Sequence, residues 1–307
     1  MNTQRESALP VRNLIGWCAV IFGVAATAFW TFWGTNEAFH EGWWHSTLWQ
    51  NLLWTLAYLV PGLALMSVCL LALRFPLAGA ACWLALLAYA VYRFGWLRHG
   101  FRPDLVILCI LFLAAAALFC FGRPEPRKWA YRATWIIPLF IILAWGVEPV
   151  WRVSRRYDDG ERSARLIEGN GVRLIWAPSG PGWPDHGGNF QEAQNACRHL
   201  SADGSTLLPT AQEIWRLPTI DEAVRSSVRH GGNAGGAFDA RMERAYYTVQ
   251  PDKESPLWNP KSEVIYWWTA TQPVADRAYR MTYNGRVNAI LARTRMGTLA
   301  YRCVKTE

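Results

Sequence analysis

The chain has 307 residues, 52% of them hydrophobic and 14% aromatic, and a formal net charge of +8. Residues 1–151 hold 10 Lys or Arg and 6 Asp or Glu, residues 152–307 hold 21 and 17, and 13 of the 19 Trp lie in the first part. This asymmetry excludes a single soluble globule and a largely disordered chain, and an excess of +4 in each part leaves no concentrated basic segment for nucleic acid.

A bilayer core needs about 20 mainly apolar residues per helix. Five stretches meet that length, at about 14–33, 48–73, 77–96, 105–121 and 131–151, so residues 1–151 read as a transmembrane domain of α-helices. The connections Arg74-Phe75-Pro76, Arg98-His99-Gly100 and Arg123-Pro124-Glu125-Pro126-Arg127-Lys128 are short, charged and marked by Pro or Gly. Pro61 and Pro138 fall inside spans, where proline is expected to kink a helix. Trp43, Trp44, Trp49, Trp96, Trp129 and Trp151 sit near span ends, at headgroup level. The first stretch also resembles a signal peptide, with Arg5 and Arg12 before it and Ala26-Thr27-Ala28 within it. Its apolar run continues through Trp33, longer than a signal core, which favours an uncleaved span.

Charge does not orient the spans. With a cytoplasmic amino terminus, Arg5, Arg12, Arg74, Arg123, Arg127, Lys128 and Arg132 lie on one side and Arg93, Arg98, Arg102, Arg152, Arg155 and Arg156 on the other. Between the first two spans, Glu37, Glu41 and His45 share a helical face at i, i+4 and i+8, with His40 beside Glu37. That set is the one weak metal or proton-relay candidate. It would make the protein a small membrane enzyme or transporter with an accessory soluble domain. The plainer reading is an interfacial loop anchored by Trp43 and Trp44.

Residues 152–164 are a polar linker, and 165–307 read as a globular domain. Residues 172–176 alternate like a strand. Residues 177–188, rich in Pro and Gly, read as loop, and 190–200 carry Phe190, Ala193, Cys197 and Leu200 at helical spacing. Thr219 and Glu222 form a capping box that opens a helix expected to run to about Arg229. A flexible Gly-rich loop follows at 231–236. Strands are expected at 264–271, 278–283 and 286–291, the last two joined by the hairpin turn Asn284-Gly285, and a single closing strand at 299–305. Trp215, Trp267 and Trp268 supply core surface, and Arg216, between Trp215 and Leu217, is expected to stack and pair inside the fold.

Cys18, Cys69, Cys82, Cys109 and Cys120 lie in or beside apolar spans, where a thiol is a small hydrophobe. The soluble part holds only Cys197 and Cys303. Their spacing suits one disulfide between the last strand and an early helix, and equally two buried free thiols.

Several landmarks recur together: Leu174-x-Trp176, Ala196-Cys197, Trp215-Arg216-Leu217-Pro218-Thr219, Tyr266-Trp267-Trp268-Thr269-Ala270-Thr271, Asn284-Gly285 and Tyr301-Arg302-Cys303-Val304-Lys305. In these, residues 165–305 resemble the Lcl C-terminal domain family, a bacterial family named for a collagen-like adhesin and related in fold to C-type lectins and formylglycine-generating enzymes. The resemblance implies an α+β, C-type-lectin-like domain outside the cytoplasm, with Cys197 and Cys303 bonded. Trp176, Trp215, Arg216, Pro218 and Trp267 would then be fold-forming residues. The resemblance covers only the second part of the chain.

Catalytic signals are thin. His186, His199 and His230 stand near no recognisable nucleophile motif, and 231–236 lacks the Gly-Lys-Ser/Thr of a phosphate loop. Gln250-Pro251-Asp252 matches a calcium tripeptide of C-type lectins, but one tripeptide cannot supply six to eight oxygens and Trp258-Asn259 is followed by Pro260. Formylglycine chemistry needs reactive cysteines beyond this pair. The expectation is therefore a bacterial inner-membrane protein, multi-pass, whose periplasmic domain binds a glycan, an envelope polymer or a protein. It would have no catalysis and no cofactor, and its partners would be membrane lipid and that ligand, not nucleic acid. Trp183, Tyr247 and Trp258, taken as exposed aromatics, are the expected contact residues.

Overall fold

The computed structural model describes residues 3–94 and 103–307. The expected span end at Trp96, the Arg98-His99-Gly100 connection, Arg102 and the side chain of Arg5 lie outside the described residues. The chain divides into two compact units, one of residues 1–40 and 52–150 and the other of 41–51 and 151–307.

The first unit is helical. Helices α1 (Thr3–Glu37), α2 (Leu48–Arg74), α3 (Pro76–Phe94), α4 (Pro103–Phe121) and α5 (Arg127–Ser154) follow the five apolar stretches. All five are long and apolar enough to cross a membrane. Their ends extend past the apolar runs, because polar residues at a span end can continue a helix whose backbone bonds are already satisfied. Trp49, Trp129 and Trp151 are exposed at such ends. Small residues let the helices approach. A Cβ on Gly16 would lie 2.2 Å from the backbone nitrogen of Pro124, so the start of α1 and the chain after α4 meet backbone to backbone. Trp83 fills the middle of the unit, with Phe22, Phe112 and Phe119 around its ring. Thr27, Thr31 and Thr35 form a buried stripe on α1. Each hydroxyl donates to the carbonyl four residues earlier, which satisfies it without water.

The second unit is α+β. Strands β1 (Arg165–Gly169) and β2 (Val172–Trp176) form a hairpin across Asn170-Gly171, both at positive φ. β1 begins one residue after the expected linker and was not anticipated. Helix α6 (Phe190–Arg198) follows, then α7 (Ile220–Arg225). Two short hairpins come next: β3 (Val228–Arg229) with β4 (Gly232–Asn233), and β5 (Ala237–Asp239) with β6 (Arg244–Tyr246). Strands β7 (Tyr266–Trp268), β8 (Arg277–Thr282), β9 (Val287–Leu291) and β10 (Leu299–Ala300) build a four-stranded sheet in the order β10-β7-β8-β9, with β10 parallel to β7. Strand β11 (Val304–Thr306) joins the other sheet, β1-β2-β11. The core holds Trp176, Trp258 and Trp267, the last two stacked with ring centroids 3.7 Å apart.

Four expectations need correction. The helix opened by Thr219 stops at Arg225, because Asn233 donates its side-chain amide to the Arg225 carbonyl and Val228 turns into β3. The Gly-rich segment 231–236 is therefore partly a hairpin, with His230 and Gly231 at positive φ in its turn. The expected closing strand is two strands in two sheets. Between them Arg302 is wholly buried. Its Nε donates to the Ala177 carbonyl and its Nη1 to those of Pro256 and Leu257, which draws the chain out of one sheet and into the next. Arg216 is exposed rather than inside. The segment pairs with Val304, so Trp215 and Leu217 point inward and Arg216 outward, where it forks onto Glu222.

Cys197 and Cys303 are joined by a disulfide that ties α6 to the residue before β11. Both helices of this unit open with capping boxes, Asn189 with Glu192 and Thr219 with Glu222. Thr219→Ala should cost about 1 kcal/mol. A urea titration of the full-length protein, followed by hydrogen exchange at residues 220–225, measures it, and a loss below about 0.3 kcal/mol would contradict the cap's role.

Candidate ligand-binding site

Two of the three expected contact residues lie in the core. Trp183 is 4% exposed and Trp258 2%. The loops that carry them fold inward: the Arg302 guanidinium lies 3.6 Å from the Trp183 ring centroid, and Trp258 stacks on Trp267. Neither presents a face to a ligand. Tyr247, the third, is half-buried and lines a cavity.

That cavity is about 630 Å³, within the range of ligand sites. One wall is the tip of the β8–β9 hairpin, Asn284 to Val287, and a second comes from Glu243 and Arg244 at the start of β6 with Tyr247, Gln250 and Pro251 after it. Arg152, Arg229, Ala245 and Tyr283 complete the lining. The Tyr247 hydroxyl donates to the Gly285 carbonyl at 3.0 Å, and the Gln250 amide donates to the Asn284 carbonyl. The turn needs its glycine twice over. Gly285 has φ +79°, and a Cβ there would lie 2.4 Å from the Tyr247 ring. Burial pushes the Tyr247 hydroxyl up to about 12, so it stays a neutral donor at physiological pH.

Behind this wall lies a buried charge network. Asp252, 1% exposed, receives Arg152 at 2.9 Å, Arg156 at 3.1 Å and Arg229 at 3.0 Å. Arg229 also reaches Glu254 at 3.2 Å, and the His230 backbone donates to the same carboxylate. The third residue of the Gln250-Pro251-Asp252 tripeptide is thus taken up by three guanidiniums instead of being left open to a calcium ion. Segment 152–164 contributes further ion pairs, Arg162 to Asp158 at 2.7 Å and Arg165 to Asp159. Lys253 is buried beside Asp252 with its ammonium on the Ser262 carbonyl, and burial holds it well below the usual lysine range.

Arg244 and Arg286 differ from the other cavity arginines. Neither makes an ion pair among the described residues, and Arg244 stacks over Tyr246 at 5.3 Å. Nothing in the sequence marks either one, since an isolated arginine beside a turn looks like ordinary surface charge.

The Glu37/His40/Glu41/His45 set does not share one helical face. α1 ends at Glu37, a π-helical turn covers Ala38–Gly42, and His45 lies beyond it, stacked on Trp44. Among the described residues no three His, Cys, Asp or Glu side chains are grouped to hold a metal ion. Comparison with protein-family models, with curated proteins and with solved structures finds no match to the chain.

Proposed function

We propose that this is a bacterial inner-membrane protein that displays a ligand-binding, adhesion-type domain outside the cytoplasm and carries out no catalysis. The observation that carries the reading is the 630 Å³ cavity, built from loops on a scaffold closed by a disulfide. Its lining offers guanidiniums, amides, two tyrosines and the carboxylate of Glu243, and among the described residues no Ser, Thr, Cys or His. That chemistry suits recognition, and it lacks the hydroxyl or thiol nucleophile paired with a histidine base of the common hydrolytic sites. Disulfides persist in oxidising compartments, which supports the placement outside the cytoplasm. The lectin-like assignment rests on the resemblance in residues 165–305, with the α+β composition of the unit consistent with it.

Full-length protein in detergent, screened against arrays of glycans and envelope polymers, tests the reading. The variant Gln250→Trp sets an indole in the cavity. We expect a ligand bound by wild type and weakened about tenfold or more by Gln250→Trp, the scale of one lost contact of about 1.4 kcal/mol. Absence of any ligand, or equal binding by both proteins, would overturn it.

A further inference from the structure

We propose that the cavity between the β8–β9 turn and β6 is a phosphate site, with Arg244 and Arg286 as the groups that grip the ligand. The inference rests on the reading of this cavity as the ligand site and adds the chemistry it selects.

Four guanidiniums face the cavity against the single carboxylate of Glu243. Two of them are already answered. Arg229 pairs with Asp252 and Glu254, and Arg152 pairs with Asp252. These two set a fixed positive wall whose geometry the buried carboxylates hold. Arg244 and Arg286 have no ion pair among the described residues, and each is exposed. Two guanidiniums at one cavity, neither paired with a carboxylate among the described residues, leave two positive charges to be answered, which a singly charged carboxylate neutralises only by half. A phosphate offers three terminal oxygens and up to two charges, which matches both. Tyr247 cannot compete as an anion because it stays protonated, and its hydroxyl is engaged with Gly285. The turn beside Arg286 is held by Tyr247 and by Gln250, so that arginine stands on an ordered rim rather than a loose tip.

The phosphate has two sources, a lipid headgroup or a soluble phosphate ester, and one experiment separates them. Full-length protein in phosphatidylcholine nanodiscs is titrated with inorganic phosphate and with glycerol phosphate, and a second preparation contains phosphatidylglycerol. Hydrogen exchange at residues 243–251 and 283–287 is the readout, with methyl glucoside as the neutral control. We expect saturable protection by phosphate or its ester, weakened about 10- to 100-fold in Arg244→Ala/Arg286→Ala, as for loss of charge-assisted hydrogen bonds. Full protection with phosphatidylglycerol alone assigns the headgroup, and protection only on adding soluble phosphate assigns the ester. Protection by none of the three, or an unchanged response in the double variant, overturns the proposal. A neutral ligand that binds wild type and not Gln250→Trp would leave the ligand-binding reading standing while this one fails.

Discussion

Asp252→Ala is expected to destabilise the second unit by about 3–5 kcal/mol, the cost of breaking a buried ion pair from one side. The reason is the company Asp252 keeps. Its side chain is 1% exposed and that of Arg156 only 6%, so removing the carboxylate leaves the Arg156 guanidinium desolvated against the Tyr283 ring. Arg229 suffers less because Glu254 still receives it. The pH dependence has a definite sign. Burial alone would raise the Asp252 carboxyl, and Arg156 and Arg152 outweigh it and hold it below the usual carboxylate range. A carboxyl depressed in the folded state contributes its stability above its unfolded value near 3.9 and loses it as pH falls through the folded value. Chemical denaturation of wild type and Asp252→Asn should therefore differ by a constant amount above about pH 5, and the gap should close below about pH 4. A gap independent of pH down to about pH 2 would show that the carboxylate's charge is not what matters.

Cys303→Ser should be nearly as damaging, with a loss of about 2–5 kcal/mol. The bond spans 106 residues of sequence, and the chain-entropy argument assigns about 4.7 kcal/mol to a loop of about 100 residues. Denaturant titration of the full-length protein measures the loss. A non-reducing gel of protein extracted under alkylating conditions measures the bond itself. Wild type should migrate faster than Cys303→Ser, and the two should coincide after reduction. Alkylation of both Cys197 and Cys303 in native protein would remove the argument for an oxidising compartment.

What was legible in the sequence followed from local rules. Five helices were readable because a long apolar stretch has few alternatives. The cap at Thr219 and the turn at Asn284-Gly285 were readable because each is a motif of two to four residues. Asn170-Gly171 is an equally strong turn, but the short, charged stretch before it gave β1 no clear alternation. The placement of the arginines has another cause. Arg216 and Arg302 each sit among apolar neighbours, and only one is buried. The difference lies in the carbonyls of Ala177, Pro256 and Leu257, which meet Arg302 only in the folded chain. Trp183 and Trp258 sit in Pro-rich stretches and looked like surface residues for the same reason. The Asp252 network joins residues up to 100 positions apart, and no spacing rule reaches that far.

The link from Cys197 to Cys303 also changes what a protease can do. The connection between β5 and β6 is open to attack, with Met242 64% exposed. A cut beside it falls inside the covalent loop, since 242 lies between 197 and 303. The nicked chain would stay one molecule, still joined to its membrane helices, and would come apart only when a reductant opened the bond. Shedding the domain requires a cut ahead of residue 197, where a single peptide strand carries the whole connection.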